Sequence, residues 1–178
     1  MVWLGVDLGA ARVGLALSDP ELTFAHPIGN IRVHGDAMEA VDDVIDIIER
    51  EHVDHVVVGM PLLLSGNTGQ SAKKARRWVH ELIARMIEYR DTGQLHISDI
   101  PLVELHDERL TTVTAHRQLC DVRITARGHR PMVDQQSAVL ILQSALDTAR
   151  TEDAARAEGG RHDEAQPDKA GERNGHGR

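Results

Sequence analysis

Residues 2–18 limit the possible folds more than any other stretch of the chain. Val2, Leu4, Val6 and Leu8 alternate with Trp3, Gly5 and Asp7, the period of a strand with one apolar face. A tight turn at Gly9-Ala10-Ala11 leads into a return strand. There Val13, Leu15 and Leu17 are the apolar face, and Gly14, Ala16 and Ser18 leave the other face nearly bare. Interior glycine weakens a strand and marks close approach by a ligand or another backbone. Asp7 falls on the non-apolar face, near the end of the first strand. An ionised carboxylate in apolar surroundings is costly unless it is paired, hydrogen-bonded or bound to a cation. An ion pair with Arg12 across the turn is one solution. Holding a metal or contacting phosphates is the other, and the choice depends on the remaining acids.

A chain of 178 residues suits one domain with a real core. Only 2% of it is aromatic, so that core has to be Val, Ile, Leu and Ala. Its single cysteine, Cys120, excludes an intrachain disulfide and fits a reducing compartment. No apolar run reaches the length of a membrane span, and the N-terminus lacks a signal-peptide pattern, so a cytoplasmic protein without membrane contact is expected. The formal charge is −8, of which the last 28 residues carry −2 and the rest −6. An acidic body argues mildly against non-specific nucleic-acid binding but leaves room for local basic patches.

Taken in order, 26–33 reads as a third strand. Gly35-Asp36 opens a helix carrying Val41, Val44, Ile45 and Ile48 at helical spacing. Val56-Val57-Val58-Gly59-Met60-Pro61 has the β-branched continuity of a buried parallel strand. A glycine-bearing loop, 61–69, leads to a helix over about 70–90. Lys73, Lys74, Arg76 and Arg77 crowd its first turns, where the helix dipole disfavours cations unless an anion sits nearby. A fifth strand spans 101–106. Asp107-Glu108-Arg109 ends it and starts a helix through about Leu119. Arg123, Arg127 and Arg130 make a basic loop, and a last helix is expected over 134–147. Residues 151–178 contain no large apolar side chain and are expected to be a disordered tail on a domain spanning 1–150. Among the 11 histidines, His52 and His55 read as surface residues, and no zinc pattern is present.

The order is three meandering strands followed by strands alternating with helices, which gives a mixed five-stranded α/β sheet. Asp7, Glu108 and Asp134 all stand at element ends. Each has a structural alternative: an ion pair for Asp7, a partner for Arg109 in Glu108, an N-cap in Asp134. Together they suit one site for magnesium or manganese, which take hard oxygen ligands. Two such ions about 3.5–4 Å apart support phosphodiester hydrolysis.

Four motifs carry a family resemblance: Val6-Asp7-Leu8-Gly9-Ala10-Ala11-Arg12-Val13-Gly14-Leu15-Ala16, Val58-Gly59-Met60-Pro61-Leu62, Asp107-Glu108-Arg109-Leu110-Thr111-Thr112, and the run from Asp134 through Ser144. In this order they resemble the YqgF/RuvX family over about residues 2–148. The resemblance implies an RNase H-like fold, its mixed five-stranded sheet having helices on both faces. It also implies Asp7, Glu108 and Asp134 as the catalytic and metal-binding acids, with Asp107 the competitor of Glu108. Members are described as candidate Holliday junction resolvases and as nucleases that mature the 5′ end of pre-16S ribosomal RNA. The implied partner is thus nucleic acid, pre-rRNA ahead of branched DNA. Arg12, Lys73, Lys74, Arg76, Arg77, Arg123, Arg127 and Arg130 are the candidate nucleic-acid contacts. A symmetric resolvase would need two active sites, hence a homodimer.

Two other readings compete. A phosphotransferase of the actin and sugar-kinase type also opens on an Asp-Leu-Gly hairpin, but it needs two such domains, more than 178 residues hold. A non-catalytic RNA-binding module of the same fold would show tight, magnesium-independent binding without cleavage.

Overall fold

The computed structural model describes residues 1–60, 69–107 and 130–159, with the side chains of 107, 130–135 and 158–159 outside that description. Five strands form one sheet: β1 (Trp3–Leu8), β2 (Arg12–Ser18), β3 (Ala25–Arg32), β4 (His55–Met60) and β5 (Leu102–Asp107). Their order across the sheet is β3-β2-β1-β4-β5. The hairpin pairs antiparallel with Asp7 opposite Gly14, and β3 adds antiparallel to β2. On the other side of β1, β4 and then β5 run parallel to it, with Val6 beside Val58 and Val58 beside Leu105. This is the mixed, RNase H-like sheet expected from the sequence, with the strand that carries Asp7 at its centre.

A 3₁₀ turn (Ala37–Ala40) precedes α1 (Val41–Glu51), and α2 (Gln70–Asp91) follows β4. Asp36 starts this stretch by accepting the Met38 N–H at 3.0 Å, an N-cap made by the side chain. The principal core lies on one face of the sheet. Leu4, Val6, Val13, Leu15, Val56 and Val58 pack there with Val44, Ile45 and Ile48 of α1 and with Trp78, Leu82 and Met86 of α2. Arg85 of α2 bonds Asp42 of α1 at 2.7 Å, and Tyr89 Oη bonds the same carboxylate at 3.0 Å. Their donation holds Asp42 below its ordinary pKa, Arg85 contributing most.

The opposite face is covered by α3 (Arg130–Gly159), through Ala138, Ile141, Leu142 and Ala145, all buried. Helices therefore occupy both faces. Two glycines of the sheet, Gly5 in β1 and Gly59 in β4, have their explanation here. A methyl group on Gly5 would stand 2.7 Å from Leu142 Cβ and 2.9 Å from the Ala138 carbonyl oxygen, and one on Gly59 would overlap Ile141 Cδ1. What approaches Gly5 is the backbone of α3 with the Leu142 Cβ, and what approaches Gly59 is the tip of the Ile141 side chain.

The last helix does not stop near Asp147 as expected but reaches Gly159, so 151–159 are helical where disorder was expected. The chain divides into two compact units, 1–148 and 149–178. In the second unit, the side chains of 151–157 are exposed. The helix expected through Leu119 lies outside the described residues.

Candidate nucleic-acid and metal site

Strand alternation assigns side chains to faces. In β1, Leu4 and Val6 enter the core beneath α1 and α2, which leaves Trp3, Gly5 and Asp7 on the face covered by α3. In β4, Val56 and Val58 join the same core, so His55, Val57 and Gly59 share the Asp7 face. In β5, Val103 and Leu105 pack on the core side. Glu104 and His106 lie on the other, where His106 Nε2 meets Ser144 Oγ of α3 at 2.8 Å. Asp7 is half-buried near the end of β1, one residue beyond the Val6–Val58 pair and thus beside the Gly59 position of β4. His106, in register with Gly59, is the next polar side chain across the sheet on that face.

Glu108 lies outside the described residues, and so do the side chains of Asp107 and Asp134. Among the described residues, no three His, Cys, Asp or Glu side chains gather closely enough to hold a metal ion. The structure brings Asp7 to the strand end from which β5 leads toward 108.

Of the candidate nucleic-acid contacts, Arg12 opens β2 and is half-buried. Lys73, Lys74, Arg76 and Arg77 are exposed on the first two turns of α2, as read from the sequence. Lys74 and Arg77 line a cleft of about 450 Å³ that runs between α2, the hairpin turn at Leu8-Gly9-Ala10 and the segment Gly35–Met38. Lys73 and Arg76 do not line it. Arg123 and Arg127 lie outside the described residues, as does the side chain of Arg130, the first residue of α3.

The far end of the same strands holds a second polar group. His55 is not a surface residue: it is 7% exposed, its ring centroid 4.1 Å from that of Trp3. Its Nε2 stands 3.5 Å from Glu104 Oε2, an ion-pair approach too long for a good hydrogen bond. That contact holds the half-exposed Glu104 carboxyl below its ordinary value, with a smaller contribution from His106. Sequence reasoning missed this group because its members come from β1, β4 and β5. It missed His106–Ser144 as well, although Ser144 closes the last of the four motifs.

The family model for RuvX, described as Holliday junction resolvase, matches residues 1–148. The chain belongs to that family. A protein of Bifidobacterium adolescentis is 65% identical over 150 residues, covering 84% of this chain and 99% of its own; its name, given provisionally, is pre-16S rRNA nuclease. A Mycobacterium sp. (strain KMS) protein with the same provisional name is 39% identical over 157 residues, covering 88% of this chain and 86% of its own. Among solved structures, Thermus thermophilus RuvC in complex with a Holliday junction substrate superposes with a TM-score of 0.48 at 16% identity, covering 84% of this chain and 96% of that one.

Proposed function

We propose that this chain is a divalent-metal-dependent nuclease that hydrolyses phosphodiester bonds during 5′-end maturation of pre-16S ribosomal RNA in the cytoplasm. The 65% identity to a relative so named, across 99% of that relative's length, carries the reading. The catalytic domain is residues 1–150, and 151–178 are an appendage to it.

Asp7, Glu108 and Asp134 are the proposed catalytic and metal-binding acids. Their donor chemistry fits magnesium or manganese, three hard carboxylates with no competing thiolate. Asp7 supplies the central carboxylate from the middle strand. The choice of Glu108 over Asp107 is supported by reach: β5 is two strands from β1, neighbouring strands are about 4.8 Å apart, and Glu is longer than Asp by one methylene. Asp134 stands one helical turn before Ala138, whose backbone lies against Gly5. A bound divalent ion supplies Lewis acidity and a nucleophilic water at neutral pH. The protein's own part is to hold three carboxylates in one place, to orient the ribose-phosphate backbone and to attract it with cations. Lys73, Lys74, Arg76 and Arg77, with Arg12, Arg123, Arg127 and Arg130, are the proposed backbone contacts.

Resolution of four-way DNA junctions is a second reading, favoured by the description of the matching family model. It would require a homodimer. Cleavage by the purified protein, with magnesium or manganese, of a 5′-extended 16S precursor and of a four-way DNA junction separates the readings. The expected result is a discrete shortened 5′ end on the RNA. Paired symmetric nicks in the junction, with the RNA left intact, would give the site to DNA. Tight RNA binding with neither substrate cut would make the chain a binding module.

A further inference from the structure

The cleft beside α2 has features that general attraction to a nucleic-acid backbone does not explain. Its volume of about 450 Å³ lies toward the small end of ligand clefts. That space is on the scale of one nucleotide and too small to enclose a base-paired helix. Lys74 and Arg77, three residues apart on α2, line one wall. Among the described residues neither has an ion-pair partner. The same wall includes the start of α2, where Gly69 at the N-cap makes no side-chain cap and no acid stands in the first turn. Among the described residues, the cations and the positive end of the helix dipole thus share this wall with no ion-pair partner for either cation, an arrangement that an anion relieves.

The opposite wall carries an acceptor. Asp36 lines the cleft, and its Oδ1 accepts the Met38 N–H, which fixes the carboxylate and leaves its other oxygen for a hydroxyl or amino donor. Trp78 also lines the cleft. It is 1% exposed, and its indole N–H donates to Ala37 O at 2.9 Å, tying α2 to the acceptor wall. Cations on one wall and a fixed acceptor on the other match the polarity of a nucleotide, phosphate at one end and ribose or base edge at the other. The cleft also adjoins the proposed cutting site. Its lining residues Leu8 and Gly9 directly follow Asp7, and adjacent Cα atoms are about 3.8 Å apart.

We infer that this cleft binds one unpaired nucleotide, its phosphate on Lys74 and Arg77 and its ribose or base edge on Asp36. Resting on the nuclease reading, the inference names the substrate class: a strand that is single-stranded next to the bond cut at Asp7. A nucleotide seated in the cleft lies against the β1–β2 turn that follows Asp7, so that the strand leaving it can pass round the end of β1 to the Asp7 face.

The test is titration of the full chain, in EDTA, with adenosine 5′-monophosphate, adenosine and inorganic phosphate, following the two indole N–H signals by NMR. The nucleotide is expected to move the Trp78 signal and spare that of Trp3, which sits on His55 at the other end of β1. Adenosine and phosphate alone are expected to bind more weakly. Lys74→Ala with Arg77→Ala should weaken the nucleotide by about tenfold or more, the loss expected for charge-assisted bonds. Arg50→Ala with Arg90→Ala removes the same charge elsewhere and should leave binding unchanged. An unmoved Trp78 signal, equal weakening in both double variants, or equal competition by a duplex and a single strand of the same length would overturn the inference. Because the titration needs no metal, the two ideas fail separately. Cleavage that depends on Asp7 without nucleotide binding sinks the cleft alone; nucleotide binding without any cleavage sinks the nuclease.

Discussion

Gly5→Ala tests how α3 is seated on the sheet, and with it the approach of Asp134 to Asp7. The added methyl group would stand 2.7 Å from Leu142 Cβ and 2.9 Å from Ala138 O. Neither atom can be moved by a rotamer change: one is fixed to its Cα and the other is main chain. The helix itself must lift by several tenths of an ångström, breaking the packing of Ile141, Leu142 and Ala145. Overpacking of a close-packed core costs about 1–3 kcal/mol. Loss of glycine's freedom in the unfolded chain offsets up to about 1 kcal/mol of this. A net loss near 1–2 kcal/mol corresponds to a fall in Tm of about 2–8 °C for a chain of this size. Gly59→Ala is the useful contrast, since its methyl group meets the tip of Ile141 rather than backbone. Combined with Ile141→Val, which removes that tip, it should cost less than the two single substitutions added together. The assay is thermal and urea unfolding of the four proteins. An unchanged Tm for Gly5→Ala, or strict additivity of Gly59→Ala and Ile141→Val, would mean that α3 does not rest on these glycines.

Three further outcomes are expected. The Glu104 carboxyl is depressed by His55, so its stabilisation is present above the unfolded value near 4.5 and is lost as pH falls through the lower folded value. Glu104→Gln should therefore flatten the acid side of the stability profile. Being half-exposed, the pair contributes at most about 1 kcal/mol, and identical acid limbs in urea melts of the two proteins would remove it from the account. Lys73→Ala with Arg77→Ala should flatten the salt dependence of RNA binding by roughly 0.7 in log–log slope per lost phosphate contact; an unchanged slope across several salt concentrations would dismiss this patch. Deleting 151–178 should leave Tm and metal-dependent cleavage nearly unchanged, since 151–157 are exposed, and a large fall in either would make the appendage part of the domain.

The elements that sequence reading recovers are those whose side chains repeat with a clean period. The hairpin, the Val56–Val58 strand and the α1 stripe of Val41, Val44, Ile45 and Ile48 are where their patterns put them, because each buries that pattern against one core. The end of α3 was misread for the same reason. Its apolar stripe stops after Leu146, but the Ala, Arg and Glu that follow are good helix formers and carry the helix on to Gly159. His55 was misread because its neighbours Asp54 and His52 are polar, while the ring it stacks on, Trp3, lies on another strand. Asp7 was legible as an anomaly on a bare face. That the bareness of Gly5 and Gly59 admits α3 depends on contacts more than eighty residues away in sequence, which no local pattern encodes. The cleft was half legible: the misplaced cations of α2 pointed to an anion, but nothing in the sequence singles out Lys74 and Arg77 from Lys73 and Arg76.

The central claim is that Asp7, Glu108 and Asp134 form one metal-dependent cutting site. Its most direct test is cleavage of a 5′-extended 16S precursor with magnesium by Asp7→Asn, Glu108→Gln, Asp134→Asn and Asp107→Asn proteins, each checked for an intact fold by thermal melting. The account predicts that the first three are inactive and remain folded, and that Asp107→Asn still cuts. Full activity in Asp7→Asn would contradict it outright, and loss in Asp107→Asn with activity kept in Glu108→Gln would move the second ligand to Asp107.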